Sequence, residues 1–110
     1  MSDFCQHLSR VFAQDIPLSQ AMGVQVRSWN KQRLELSFPL AANINHQASM
    51  FGGSMYCAAV LASWGWLHLR LREEGINTTH IVVQAGQIDY PRPITHTSIT
   101  AVCEAPEEQL

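Results

Sequence analysis

Charge is scarce in this chain. Only 15% of its 110 residues are Asp, Glu, Lys or Arg, and seven basic residues against nine acidic ones leave a formal net charge of −2. No basic field exists to hold a phosphate backbone, which argues against nucleic acid as the main partner. Cysteine is sparse too: Cys5, Cys57 and Cys103 are odd in number, widely separated and set in apolar surroundings. Neither a disulfide framework nor a metal site has that spacing, so free thiols in a cytoplasmic protein are expected. Long hydrophobic runs are missing as well. The most apolar stretch, residues 55–67, contains Ser63 and Gly65 and falls short of the roughly 20 residues a membrane span needs. The first ten residues include Asp3 and lack the apolar block of a secretory signal. No repeat, low-complexity tract or linker interrupts the chain. What remains is one globular domain: 46% of the residues are apolar, and a chain of this size buries roughly two-thirds of its unfolded surface.

Hydrophobic periodicity divides the chain into six main elements. Residues 2–14 carry Phe4, Leu8, Val11 and Phe12 at helical spacing, with Ser2 or Asp3 as cap and Pro17 as terminator. A further short turn fits 17–23. Residues 24–27 and 33–38 alternate apolar and polar side chains, as half-buried strands do, and Asn30-Lys31 is the tip of a hairpin between them. A polar loop, 41–50, leads through Phe51-Gly52-Gly53-Ser54 into a helical pattern that runs to Glu74, where Gly75 supplies a left-handed terminator. About 21 helical residues span roughly 31 Å. Between Met55 and Leu67 this helix is apolar on every side, the mark of a helix buried all round. Ala58, Ala62 and Gly65 form a small-residue stripe on it; Cys57, Leu61, Trp64 and His68 form a bulkier one. Residues 79–90 read as a long strand in which Gly86 marks a bulge or a close approach. Residues 98–103 read as a fourth strand and 106–110 as a polar tail. The fold class expected is α+β: a mostly antiparallel sheet wrapped around the long central helix, since nothing else in the chain could cover it.

The segment Asn43-Ile44-Asn45-His46-Gln47-Ala48-Ser49-Met50-Phe51-Gly52-Gly53-Ser54, followed by Ile88-Asp89-Tyr90-Pro91-Arg92-Pro93-Ile94, resembles the hot-dog fold. The closest likeness is to the thioesterase domain that occurs in bacteria alone or fused behind a GNAT-type acetyltransferase linked to fatty-acid synthesis. The likeness covers residues 22–103. It implies an acyl-thioester hydrolase, with coenzyme A or acyl carrier protein as part of the substrate and no separate cofactor. It also implies a homodimer or higher homo-oligomer joined sheet edge to sheet edge. The acyl thioester would lie between subunits with its carbonyl aimed at the amino end of the central helix. Such domains continue with one or two further strands, so either the sequence is short or another subunit or element completes the sheet. Many relatives have His-Gly-Gly where this chain has Phe51-Gly52-Gly53, and an acid one or two turns into the helix. Residues 54–72 contain no acid, and Ala59 stands near that position; the usual carboxylate chemistry does not carry over.

Candidate catalytic residues are therefore Asn45, His46 and Gly53. The amides of Gly52 and Gly53 open a helix, where the first backbone N–H groups lack internal partners and suit a developing oxyanion. Asn45 could hold a water or the thioester oxygen, and His46 could act as general base, histidine being the side chain whose unperturbed pKa lies near neutrality. Substrate-binding candidates are Met50, Phe51, Gly52, Ser54 and Met55; Ser54 reads first as the helix cap and otherwise as orienting the substrate. Cys57 reads as inert core, Asp89 as a surface residue, and His68, His80 and His96 as structural, with no metal spacing. The alternative to hydrolysis is a non-hydrolytic acyl-binding or oligomerisation module that serves an acetyltransferase.

Overall fold

The computed structural model describes residues 3–105; the Ser2 cap and the 106–110 tail lie outside them. Six elements are present: helices α1 (Asp3–Asp15) and α2 (Pro17–Ala21), strands β1 (Gln25–Trp29) and β2 (Arg33–Pro39), helix α3 (Gly52–Glu73) and strand β3 (Ser98–Glu104). The strands form one antiparallel sheet in the order β1-β2-β3.

Local chemistry accounts for most of the boundaries. The hairpin tip lacks glycine, so Lys31 takes a left-handed φ of 79°. The Asn30 side chain offsets this: its Oδ1 accepts the amides of Gln32 at 3.0 Å and Arg33 at 2.8 Å, the local turn that asparagine favours. A register shift between Val26 and Ser28 lets β1 run on to Trp29. At the far end of α3, Gly75 has φ 83°. Its amide donates to Arg72 O at 3.0 Å and the Ile76 amide to Leu71 O at 2.8 Å. These are the two reverse bonds of a Schellman stop, which only a left-handed residue allows at low cost.

The core forms where α1 and α3 meet the sheet. Leu8, Phe12, Leu34, Leu36 and Leu69 are fully buried. The small-residue stripe has the purpose its spacing suggests. A Cβ on Gly65 would stand 2.9 Å from Leu34 Cδ2 and 3.0 Å from Leu8 Cδ2, so glycine here sets how closely α3 approaches both α1 and β2. Indole donors fasten the rest: Trp66 Nε1–H to Gln32 O at 2.8 Å, and Trp29 Nε1–H to Glu73 Oε1 at 3.0 Å.

Two expectations need correction. Residues 79–90 form no strand: they join no ladder, and the described sheet consists of β1, β2 and β3 alone. Side-chain donors hold this segment along α3 instead. Trp64 Nε1–H donates to Ile81 O at 2.8 Å, and Tyr90 Oη–H donates to Gly52 O at 3.0 Å. Gly86 is the close approach its position suggested: a Cβ there would overlap the Tyr56 hydroxyl. The second correction concerns α3, which is not buried all round. Ala58, Leu61, Ala62, Trp64, Gly65, His68 and Leu69 are buried, whereas Ala59, Ser63 and Leu67 are exposed. A three-stranded sheet covers one side of a helix, and the opposite face borders a groove of about 390 Å³ under the 81–88 segment.

Candidate active site

The loop before α3 is built by two asparagines. Asn43 is 3% exposed. Its Nδ2 donates to Met22 O at 2.9 Å and Pro39 O at 2.8 Å, and its carbonyl accepts the Phe51 amide at 2.7 Å. The side chain thus ties the α2 exit to the end of β2, and the backbone carbonyl of the same residue holds the start of α3. Composition alone does not separate it from the neighbouring polar loop residues. The signal that could have found it is its place directly after an apolar strand end, where a buried carbonyl needs a donor. Its Oδ1 is buried with no partner among the described residues. Asn43→Ala leaves the buried Met22 carbonyl and the part-buried Pro39 carbonyl without their side-chain donor and is expected to cost about 1–3 kcal/mol, read as a lowered urea midpoint with unchanged slope.

Asn45 closes the loop on itself. Its Oδ1 accepts the amides of Gln47 at 2.9 Å and Ser49 at 3.1 Å, and its Nδ2 donates to Ser49 Oγ at 3.0 Å. An amide nitrogen carries two hydrogens, so one remains after the bond to Ser49. His46 follows at the exposed turn of this loop, and its ring makes no hydrogen bond among the described residues. Ile44 and Met50 pair across the loop base, so Asn45 and His46 stand on the far side of that pair from Phe51.

Phe51 is the N-cap of α3, with φ −61° and ψ 134°, and no side chain caps the helix. Ser54 is therefore not the cap: it lies in the first turn, three residues past the position whose side chain could reach back to the amides. The first internal bond of the helix is Met55 N–H to Phe51 O, 3.0 Å. The amides of Gly52, Gly53 and Ser54 have no acceptor among the described residues. These are the orphan donors of a helix start, carrying the positive end of its dipole. Phe51 is 57% exposed and Gly53 is exposed, so the tip faces solvent; the Tyr90 ring flanks Gly52.

Apolar space adjoins this tip. A cavity of about 220 Å³ is lined by Met50, Met55, Ala58, Ala59, Ile88, Ile94 and Ile99 with residues 100–102. Met50 and Met55 meet there; Phe51 does not line it. Ala59 and Ile88 also line the larger groove. No charged side chain lines either space. Cys103 is no nucleophile in waiting: burial pushes its thiol upward in pKa, the neighbouring Glu104 adds to the rise, and a bond to the Ser63 side chain opposes it. Asp89, His80 and His96 are exposed. Among the described residues, no three His, Cys, Asp or Glu side chains gather as a metal site would require, and no helix is long and apolar enough to cross a membrane.

An antiparallel sheet carrying a long helix, with that helix entered through a Gly-Gly turn, is the hot-dog class of α+β fold. A family model described as "Putative thioesterase (yiiD_Cterm)" matches residues 5–110, and the chain belongs to this family. Solved structures agree. A protein of unknown function from Chlorobaculum tepidum TLS is 39% identical with a TM-score of 0.88, the match covering 96% of this chain and 63% of that one. This chain thus spans less than two-thirds of that protein's length. A "putative thioesterase from Shewanella oneidensis" is 29% identical with a TM-score of 0.89, covering 97% of this chain and 73% of the other. The PaaI protein of E. coli, 19% identical over 94% of this chain and 71% of its own, has a TM-score of 0.70 and shares the fold.

Proposed function

We propose that the chain hydrolyses acyl thioesters carried on coenzyme A or acyl carrier protein, at a site completed between two copies of the chain. The observation that carries this reading is the row of unpartnered amides at Gly52, Gly53 and Ser54, set beside a cavity lined by Met50 and Met55. Preorganised N–H groups stabilise the charge that develops on a thioester oxygen, and an apolar cavity without charged walls suits a hydrocarbon acyl group.

In this mechanism the carbonyl oxygen accepts from the Gly52 and Gly53 amides. A water held by the remaining Asn45 N–H attacks the carbonyl carbon, and His46 takes its proton. The C–S bond then breaks, and the departing sulfur receives that proton from His46. The products are a carboxylic acid and a free thiol, and no further cofactor is needed. His46 makes no bond to the fold, so His46→Ala is expected to leave the melting temperature unchanged while lowering kcat about 100-fold. Asn45→Ala also loosens the loop. A panel of acyl-CoA substrates of graded length tests both variants. Unchanged turnover in the pair would refute the assignment.

One observation favours a second reading, an acyl-binding or oligomerisation module. The first acid in α3 is Glu73, at its carboxyl end, so the helix offers no general base near its start. Acyl-CoA that raises the melting temperature without being hydrolysed would select this alternative.

A further inference from the structure

His68 lies on α3 and is 3% exposed, yet it has two polar partners. Its Nδ1 is 2.7 Å from the Thr78 carbonyl oxygen, and its Nε2 is 2.9 Å from Nε2 of His7 on α1. The protonation pattern follows from these contacts. A carbonyl only accepts, so His68 Nδ1 carries a hydrogen. The neutral ring then has its lone pair on Nε2, and His7 Nε2–H donates to it. The Trp64 ring stacks on His68 with centroids 5.2 Å apart and planes 11° from parallel. Trp64 also donates to Ile81 O. One helical turn of α3 therefore grips two carbonyls of the 77–93 segment and, through His7, the start of α1.

We propose that the His7–His68 pair is an acid-sensitive clasp that holds α1 and the 77–93 segment on α3 near neutral pH and releases both in mild acid. A single N–H fills the gap between the facing nitrogens. Protonating both rings sets two N–H bonds head to head at 2.9 Å. A first proton on His7 is also opposed, because every full charge acting on it is positive: Arg10 from α1 and Arg72 from α3. Asp3 and Asp15 on α1, Glu73 on α3 and Asp89 in the 77–93 segment are not among the charges acting on His7. α2 contains no titratable residue, and β1 offers only Arg27, whose Nε donates to Ser37 Oγ at 2.8 Å.

The pH dependence follows from linkage. Partial burial, then Arg72, His68 and Arg10, lower the His7 pKa from its ordinary 6.5. A base with a depressed folded pKa gives stability that is full above the unfolded value and falls away as pH drops below it. Freed from the pair and from both arginines, the His7 ring takes up a proton more readily, so mild acid favours the open form. Carboxylates, with ordinary values near 4, contribute little in that window.

Hydrogen exchange of the α1 amides and of the Trp64 indole N–H, corrected for the intrinsic pH dependence of exchange, reads the two releases. In the wild-type chain both opening equilibria are expected to rise at least ten-fold from pH 8 to pH 5. His7→Gln keeps a donor toward His68 but takes up no proton, so it should lose at least ten-fold of that response. Ring-proton NMR titration of His7 and His68 in the wild-type protein decides the matter even if the variant folds poorly. Unchanged protection at pH 5 overturns the clasp. So does a His7→Gln response equal to that of the wild type, and so do two rings that both titrate near 6.5 with α1 still protected.

Discussion

Replacing Gly52 with proline is expected to leave the fold intact and to lower thioester hydrolysis roughly 100-fold, a loss of about 3 kcal/mol of transition-state stabilisation. The structure makes this substitution unusually clean. Gly52 is the first helical position after the Phe51 cap, where proline is favoured because its missing N–H has no helical partner to lose. Phe51 already has the extended φ of −61° and ψ of 134° that a residue before proline adopts. A Cβ at Gly52 meets the Tyr90 ring at 3.5 Å, an ordinary contact. The substitution therefore deletes one orphan donor and little else. Steady-state kinetics beside a thermal melt measure it. A variant that melts normally and turns over substrate at the wild-type rate would show that this amide does not face the reacting oxygen.

Phe12→Ala is expected to have the largest effect on stability, about 3–5 kcal/mol. The Phe12 side chain is completely buried between α1, α3 and the sheet. Its ring lies 6.2 Å from Trp64 in a tilted pair, and its Cζ would be 3.4 Å from a Cβ on Gly65. The close α1–α3 approach that Gly65 permits leaves little room for the cavity to collapse. A domain of this kind is stable by about 5–15 kcal/mol, so one such deletion removes a large share of the total. Urea unfolding checks the value. A shift in midpoint worth less than 1 kcal/mol would mean that α1 contributes little to the folded state.

Both of these positions were visible in the sequence. Phe12 stood at helical spacing with Phe4, Leu8 and Val11, and that pattern identifies a buried face without knowledge of what covers it. The Gly-Gly turn was legible because glycine before a long apolar run marks a helix entry. Asn43 was different. Its importance lies in carbonyls contributed by Met22 and Pro39, which are brought to it only by folding. The 79–90 stretch shows the converse. Its Ile81-Val82-Val83 run has strand chemistry, but a strand is a relation between two chains of hydrogen bonds, and no described segment supplies the second. The all-apolar reading of α3 failed for a related reason: composition tells that a face prefers burial, not whether a neighbour is present to bury it. Ser54 was misread as a cap because capping depends on which residue turns first, and that residue is Phe51.

The sequence by itself determined the elements that depend on local forces. These are the spacing of apolar side chains along α1 and α3, the hairpin between β1 and β2, the Gly75 stop, and the donor-rich start of α3. Only the tertiary structure decided which side chains share a bond across long stretches of chain. It set Asn43 beneath the helix start, spent most of Asn45 on its own loop, left His46 at an exposed turn, and joined His7 to His68 across 61 residues. The physical reason is range. Periodicity and turn chemistry act over a few residues and are written in order along the chain, whereas a hydrogen bond between distant groups exists only after the core has packed and fixed their separation.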